Sequence, residues 1–94
     1  MNRVTVVVPV YADWPSLKDC LDSLVKHVDK KNDILIVNDS GPQADMLEKN
    51  IKELIKGHDN FRYERNKKNL GFVGTTNHAV NELDKTNNDI LLLN

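Results

Sequence analysis

The sequence predicts a three-layer α/β/α domain in which helices cover both faces of a parallel β-sheet. Short apolar runs alternate with segments whose apolar residues recur at helical spacing, in the order β-α-β-α-β-α-β, and this alternation is typical of parallel sheets. Crossovers between parallel strands are right-handed, and in the doubly wound arrangement the fourth strand returns beside the first, so we expect the strand order 3-2-1-4. At 94 residues, the chain has the length of one domain, spanning residues 1–94.

The first strand is predicted over Val4–Val10, which is apolar almost throughout and therefore suited to burial on both faces. A helix follows, because Asp13 or Ser16 can cap its amino end. Its apolar stripe consists of Leu17, Cys20, Leu21, Leu24, Val25 and Val28. The second strand, residues 34–37, is fully apolar and runs into turn-forming residues at 38–42.

The second helix is predicted from about Gln43 to Lys56. Residues 61–65 alternate apolar and polar side chains, which indicates an edge strand with one face in water. After a loop over residues 66–71, a third helix is indicated by an apolar stripe. The members of that stripe are Phe72, Thr76, Ala79, Val80 and Leu83. Residues 89–94 are predicted to form the fourth strand.

Composition excludes several classes of protein. The chain has 13 Lys and Arg against 14 Asp and Glu, and this balance argues against a nucleic-acid partner, which would require a basic stripe. The longest apolar run is far shorter than the roughly 20 residues that span a bilayer. Cys20 is the one cysteine, so there is neither an internal disulfide nor a cysteine metal cluster. With no signal peptide evident, we expect a reducing, cytoplasmic setting.

Polar and aromatic side chains collect where the predicted strands end. The converging segments are residues 9–13, 38–41 and 69–74, together with Asn94. The ring of Tyr11 offers a surface on which a base can stack, and the carboxylates of Asp13 and Asp39 can accept hydrogen bonds from a base or a ribose. Ligands of doubly wound sheets bind beyond the carboxyl ends of the strands, so we expect a nucleoside site in this crevice, between strands 1 and 4.

Asp39 and Tyr11 also have purely structural interpretations. Asp39 follows a strand, where Asp is often only a turn former, and Tyr11 can be ordinary packing. A dinucleotide fingerprint, a phosphate-binding P-loop and a nucleophile elbow are all missing from the sequence. A receiver domain of similar size would need an acidic pair after strand 1, where the sequence has Pro9, Val10 and Tyr11.

Four motifs resemble those of the family 2 glycosyltransferases with a GT-A fold. They are V-T-V-V-V-P-V-Y at residues 4–11, I-L-I-V-N-D-S-G at 34–41, N-L-G-F-V-G-T-T-N at 69–77 and I-L-L-L-N at 90–94. The N-L-G-F run followed by L-L-L-N is most similar to the rhamnosyltransferase-type branch. The resemblance spans essentially the whole chain.

The resemblance implies roles for individual residues. Contacts to the donor nucleotide are implied for Pro9, Val10, Tyr11, Asp39, Asn69, Gly71 and Asn77. Asn94 matches the first position of a D-x-D-type motif that holds Mg²⁺ or Mn²⁺ against the donor diphosphate. Because the sequence stops at Asn94, we expect the domain to end before this motif is complete and to bind the metal weakly.

The resulting expectation is the donor-binding half of an inverting, metal-dependent glycosyltransferase that is inactive alone. Its donor would be a UDP- or dTDP-linked sugar, and its acceptor a saccharide or a lipid-linked saccharide in cell-wall or polysaccharide biosynthesis. The full-length protein would act in the cytoplasm or peripherally at the inner face of the membrane. The unpaired edge of strand 4 is an expected site of self-association. A stand-alone nucleotide-binding or interaction module without catalysis is the alternative.

Overall fold

The computed structural model describes residues 3–93, which form four strands and three α-helices in strict alternation. The strands are β1 (Val4–Val10), β2 (Asp33–Asn38), β3 (Phe61–Arg65) and β4 (Asp89–Leu92). The helices are α1 (Trp14–His27), α2 (Ala44–Leu54) and α3 (Gly71–His78), and α3 continues directly into a π-helical turn over Ala79–Leu83. The predicted element order is confirmed.

The sheet is parallel, and its strand order is β3-β2-β1-β4. Val7, in the middle of β1, pairs with Leu35 of β2 on one side and with Leu92 of β4 on the other. The predicted order 3-2-1-4 is therefore confirmed, and the chain does double back after β3 to place its last strand beside its first. This topology brings the carboxyl ends of β1 and β2 together beside the start of α3.

The two faces of the sheet are covered unequally. On one face, sheet residues pack against α1 and α2 in the larger hydrophobic cluster. Its buried members are Val6, Val8, Val10, Leu17, Leu21, Ile34, Ile36, Leu47, Ile51 and Phe61. On the other face, Val7, Leu35 and Val37 pack only against Ala79, with Leu83 partly buried beside them. Because helical residues pack on both sides of the sheet, both faces of its central strands are buried, which accounts for their apolar sequences.

The third helix keeps part of the predicted apolar stripe. Ala79 is fully buried and Leu83 packs beside it against the sheet, as predicted, whereas Phe72 and Val80 are exposed. Thr75, which the predicted stripe does not include, is fully buried. The helix loses its regular period after His78, where the amide of Asp84 donates to the carbonyl of Ala79 five residues earlier.

A polar cluster at the amino ends of the strands holds β4 in register with β1. The side-chain amide of Asn88 donates to the hydroxyl of Thr5 at 3.1 Å and to the carboxylate of Asp33 at 2.9 Å. On the neighbouring connection, Asn32 accepts the backbone amide of Val4 at 3.0 Å. Since Thr5 is itself buried, these bonds satisfy polar groups that would otherwise be destabilising.

Strand β4 is less covered than the other three. Ile90, Leu91 and Leu92 are 37, 54 and 39% exposed, and within residues 3–93 no strand pairs with the outer edge of β4. None of the helices in the described part of the chain has the length and apolar character that crossing a bilayer requires.

Candidate nucleotide site

A cavity of about 350 Å³ lies at the carboxyl edge of the sheet, over the ends of β1 and β2. Its walls are formed by Pro9, Val10, Tyr11, Asp39, Asn69, Gly71, Phe72 and Thr75. Ligand pockets in proteins usually occupy about 300 to 1,000 Å³, so this cavity fits the nucleoside part of a nucleotide better than an entire nucleotide-sugar. The described residues of β4 do not line it, and the cavity is centred on β1, β2 and α3 rather than between β1 and β4.

Tyr11 forms one wall and leaves half of its side chain, 52%, exposed. Its position depends on Gly41, which follows β2. A β-carbon at Gly41 would lie 2.7 Å from Cε1 of the Tyr11 ring and 2.9 Å from the Tyr11 carbonyl oxygen. Glycine therefore allows the turn after β2 to pass directly against Tyr11, which keeps one side of the ring supported by backbone.

Asn38, the last residue of β2, shapes the turn that presents Asp39. Its side chain is fully buried, where Oδ1 accepts the amide of Ser40 at 3.0 Å and Nδ2 donates to the carbonyl of Ala44 at 3.0 Å. Ser40 adopts a left-handed backbone with φ of 58°, a conformation that non-glycine residues rarely adopt. The local sequence Asn-Asp-Ser-Gly thus makes a fixed turn rather than a flexible loop.

Asp39 is 5% exposed and joins the end of β2 to the start of α3. Its Oδ1 accepts the backbone amide of Leu70 at 2.8 Å and Nδ2 of Asn66 at 2.9 Å. Its own backbone amide donates to the carbonyl of Val10 at 2.8 Å. Asp39 therefore organises the turn, as the purely structural interpretation predicts, and it also forms part of the cavity wall.

The carboxylate of Asp39 is held in its ionised form. Burial acts to raise its pKa, but hydrogen bonds from the Thr75 hydroxyl, the Leu70 amide, the Asn66 side chain and the Gly71 amide outweigh this effect, so the pKa is lowered. Its position at the amino end of α3 also favours a negative charge. At neutral pH the cavity wall therefore carries a fixed negative charge that can accept hydrogen bonds.

The loop before α3 supplies the opposite wall. Oδ1 of Asn69 accepts the amide of Gly71 at 3.0 Å, and Gly71 has a φ of 77°, in the left-handed region that favours glycine. Asn69 and Asp39 together thus satisfy amides at the start of α3, where no helical carbonyl is available. The N-L-G part of the N-L-G-F motif is explained by this geometry.

Six of the residues expected to contact a nucleotide lie together at the cavity: Pro9, Val10, Tyr11, Asp39, Asn69 and Gly71. Asp13 does not line it. Asp13 has a left-handed backbone and accepts the amide of Ser16 at 3.4 Å, so it caps α1, and it borders a smaller neighbouring cavity of about 180 Å³. Asn77 is exposed on α3 and lies outside the cavity wall, and Asn94 lies outside the described residues.

The sequence predicts two places for Phe72, on the apolar stripe of the third helix and in the segment 69–74 that converges on the crevice. The structure supports the second, since Phe72 is 48% exposed at the cavity. Thr75 is the cavity residue that sequence reasoning missed, and it is fully buried there.

The family resemblance implies a divalent metal. Between residues 3 and 93, no three His, Cys, Asp or Glu side chains are grouped so that they could hold a metal ion. At the cavity, the carboxylate of Asp39 is engaged by amide and hydroxyl donors rather than grouped with other acidic residues. The residues described therefore do not by themselves fit a divalent-metal site.

Comparison with known proteins gives matches in family and in structure. The model of glycosyl transferase family 2 matches residues 5–92. Nine chains of known structure match, among them the mannosyltransferase PcManGT from Pyrobaculum calidifontis in complex with GDP-Man and Mn²⁺, with a TM-score of 0.72 and 20% sequence identity. That match covers 84% of this chain and 24% of the mannosyltransferase chain. No curated protein sequence matches significantly.

Proposed function

The chain belongs to glycosyl transferase family 2, and on this basis we propose that it binds the nucleotide of a nucleotide-diphospho-sugar as the donor-binding part of a glycosyltransferase. The family match covers almost all of the chain, and the fold matches that of a mannosyltransferase structure with a TM-score of 0.72. The chain spans about a quarter of the length of that mannosyltransferase. Activity of the whole protein is therefore part of the proposal.

The observation that supports the proposal most is the presence of Tyr11 and Asp39 on the walls of one cavity. A half-exposed tyrosine ring offers a stacking surface worth about 1–3 kcal/mol per base. An ionised carboxylate accepts hydrogen bonds from base N–H groups or ribose hydroxyls, and such charge-assisted bonds contribute about 1.5–3 kcal/mol. Aromatic and anionic groups in one small cavity favour a nucleoside, which offers both a ring to stack and N–H and O–H donors, over a purely apolar ligand.

In the proposed reaction, the oxygen of an acceptor hydroxyl forms the new bond to the anomeric carbon of the donor sugar and gives up its proton to a base. The bond from that carbon to the nucleoside diphosphate breaks with inversion, and the diphosphate leaves with the electron pair. The described residues would hold the nucleoside of the donor. The resemblance to the rhamnosyltransferase-type branch supports a UDP- or dTDP-linked donor and a saccharide or lipid-linked acceptor.

We also propose that the 94-residue chain alone does not transfer sugar. Asp39 is the one carboxylate among residues 3–93 that lines the cavity, and its hydrogen bonds lower its pKa. A carboxylate with a lowered pKa is a weak general base, since the best bases have a pKa near the working pH. Incubation with UDP- or dTDP-sugars and hydroxyl acceptors should give no glycoside above the uncatalysed background, and steady turnover would contradict this proposal.

Calorimetric titration of the chain with UDP and with dTDP tests the binding proposal. We expect measurable affinity for at least one of them, and we expect Tyr11→Ala to lower that affinity about tenfold or more, because a stacking contact is lost. Trp14→Ala is the matched control, since Trp14 is an aromatic residue at the start of α1 that packs on the core and does not line the cavity. Unchanged affinity in Tyr11→Ala, or no binding of either nucleotide by the unmodified chain, would refute the proposal.

A further inference from the structure

We propose that Asn66 is a positioning residue for the nucleotide site, holding the Asp39 carboxylate and the loop over residues 66–71 in the arrangement that receives the ligand. The inference rests on the proposed function in its last step, where orientation of Asp39 is linked to nucleotide affinity. Its structural step, the control of Asp39 by Asn66, can be tested without any ligand.

Asn66 lies directly after β3 and connects three parts of the fold. Its Nδ2 donates both to Oδ1 of Asp39 and to Oγ1 of Thr75, each at 2.9 Å. Its backbone amide donates to the carbonyl of Asn38 at 2.9 Å, and its carbonyl accepts the hydroxyl of Ser40. The residue that directly follows β3 is therefore hydrogen-bonded both to the turn after β2 and to the buried side of α3.

The burial of Asn66 indicates that these bonds are specific. The residue is 5% exposed, and its Oδ1 has no hydrogen-bond partner in the structure. A buried amide oxygen without a partner is destabilising, so the hydrogen bonds of Nδ2 to Asp39 and Thr75 are the contacts that favour an asparagine at this position. The orientation of the amide is fixed nevertheless, because only Nδ2 can donate to the carboxylate of Asp39.

Asn66 and the loop before α3 share one hydrogen-bond acceptor, Oδ1 of Asp39. Oδ1 of Asp39 receives both Asn66 and the amide of Leu70, so the position of the carboxylate and the position of the loop depend on each other. Removal of the Asn66 donor would leave the carboxylate to reorient toward its remaining donors, Thr75, Leu70 and Gly71. A reoriented carboxylate would shift relative to the wall residues Asn69 and Gly71.

The test compares Asn66→Ala with Asn60→Ala in the 94-residue chain. Asn60 lies just before β3, at the other end of the same strand, and its Nδ2 donates to the carbonyl of Asn32 at 3.0 Å, far from the cavity. Carboxyl carbon chemical shifts of Asp39, followed by NMR as a function of pH, should show a raised pKa in Asn66→Ala and no change in Asn60→Ala. Affinity for UDP or dTDP should fall about tenfold only in Asn66→Ala.

A second variant covers the case in which Asn66→Ala does not fold. Asn66→Asp keeps the size of the side chain but faces Asp39 with a second carboxyl group, so the titration of Asp39 should move upward strongly. An Asp39 titration that is unchanged in both variants, or changed equally in Asn60→Ala, overturns the inference. If Asp39 responds as expected but the unmodified chain binds no nucleotide, the positioning of Asp39 stands and the proposed function fails.

Discussion

At the scale of single residues, Asp39 combines a structural role with a position on the cavity wall, where the proposed function gives it a role in binding. Its carboxylate satisfies the amide of Leu70 at the start of α3 and the side chain of Asn66, and it also forms part of the cavity wall. Because a carboxylate has several acceptor positions, both roles fit on one side chain. Loss of the charge is therefore expected to affect stability and binding together.

The pH dependence of stability tests the structural role of Asp39. Its folded-state pKa is lowered, so its ionised form stabilises the fold above the unfolded-state pKa of about 4, and this contribution is lost as pH falls through the lower folded-state value. The free energy of unfolding, measured in urea, should be larger in the unmodified chain than in Asp39→Asn at neutral pH. The difference should shrink progressively below about pH 4. A difference that is constant across this range would show that the charge of Asp39 does not contribute.

Prediction from sequence was most successful for residues that directly follow a strand, because the end of the strand determines where they lie. Tyr11 and Asp39 directly follow β1 and β2, and the parallel topology alone brings them to one edge. Asn66 and Thr75 were not identified, because their roles depend on hydrogen bonds to partners 27 and 9 residues away in the sequence. No local pattern reports such contacts.

At the scale of elements, the turn after β2 determines where the aromatic wall of the cavity lies. Gly41→Ala places a methyl group 2.7 Å from the Tyr11 ring and 2.9 Å from the Tyr11 carbonyl, so the turn or Tyr11 must move. We expect lower stability and, by calorimetry, at least a severalfold loss of nucleotide affinity.

Gly57→Ala is the matched control for this substitution. Gly57 has a φ of 85°, so alanine is strained there, but an added β-carbon would meet no atom within 4 Å, and Gly57 does not line the cavity. It should lower stability and leave nucleotide affinity unchanged. Equal losses of affinity in both variants would show that instability, rather than the position of Tyr11, controls binding.

The elements themselves show what periodicity can and cannot predict. The strand bounds of β1 and β3 agree with the predicted ones, because runs of β-branched residues and strict alternation are local signals. The apolar stripe of α3 was right for Ala79 and Leu83, which pack on the sheet, and wrong for Phe72 and Val80, which are exposed. Helical spacing alone could not separate the core from the cavity at Phe72, because apolar side chains line both.

At the scale of the whole molecule, the exposed apolar surface of β4 predicts self-association of the 94-residue chain. An unpaired strand edge with exposed leucines is a template for pairing with another chain, and lysine on such an edge opposes it. Leu91→Lys should therefore shift the sedimentation profile toward monomer at high protein concentration. Met46→Lys, at a 40% exposed methionine on α2, should not. A monomeric unmodified chain would contradict this prediction.

The most direct test of the central claim is an NMR titration that follows backbone amide shifts while UDP or dTDP is added to the isotope-labelled chain. If the cavity at the carboxyl ends of β1 and β2 receives the nucleoside, the largest changes will cluster in three segments that are remote in sequence, around Tyr11, around Asp39 and across residues 69–75. Changes centred on the groove between α1 and α2 near Trp14, or on β4, would contradict it.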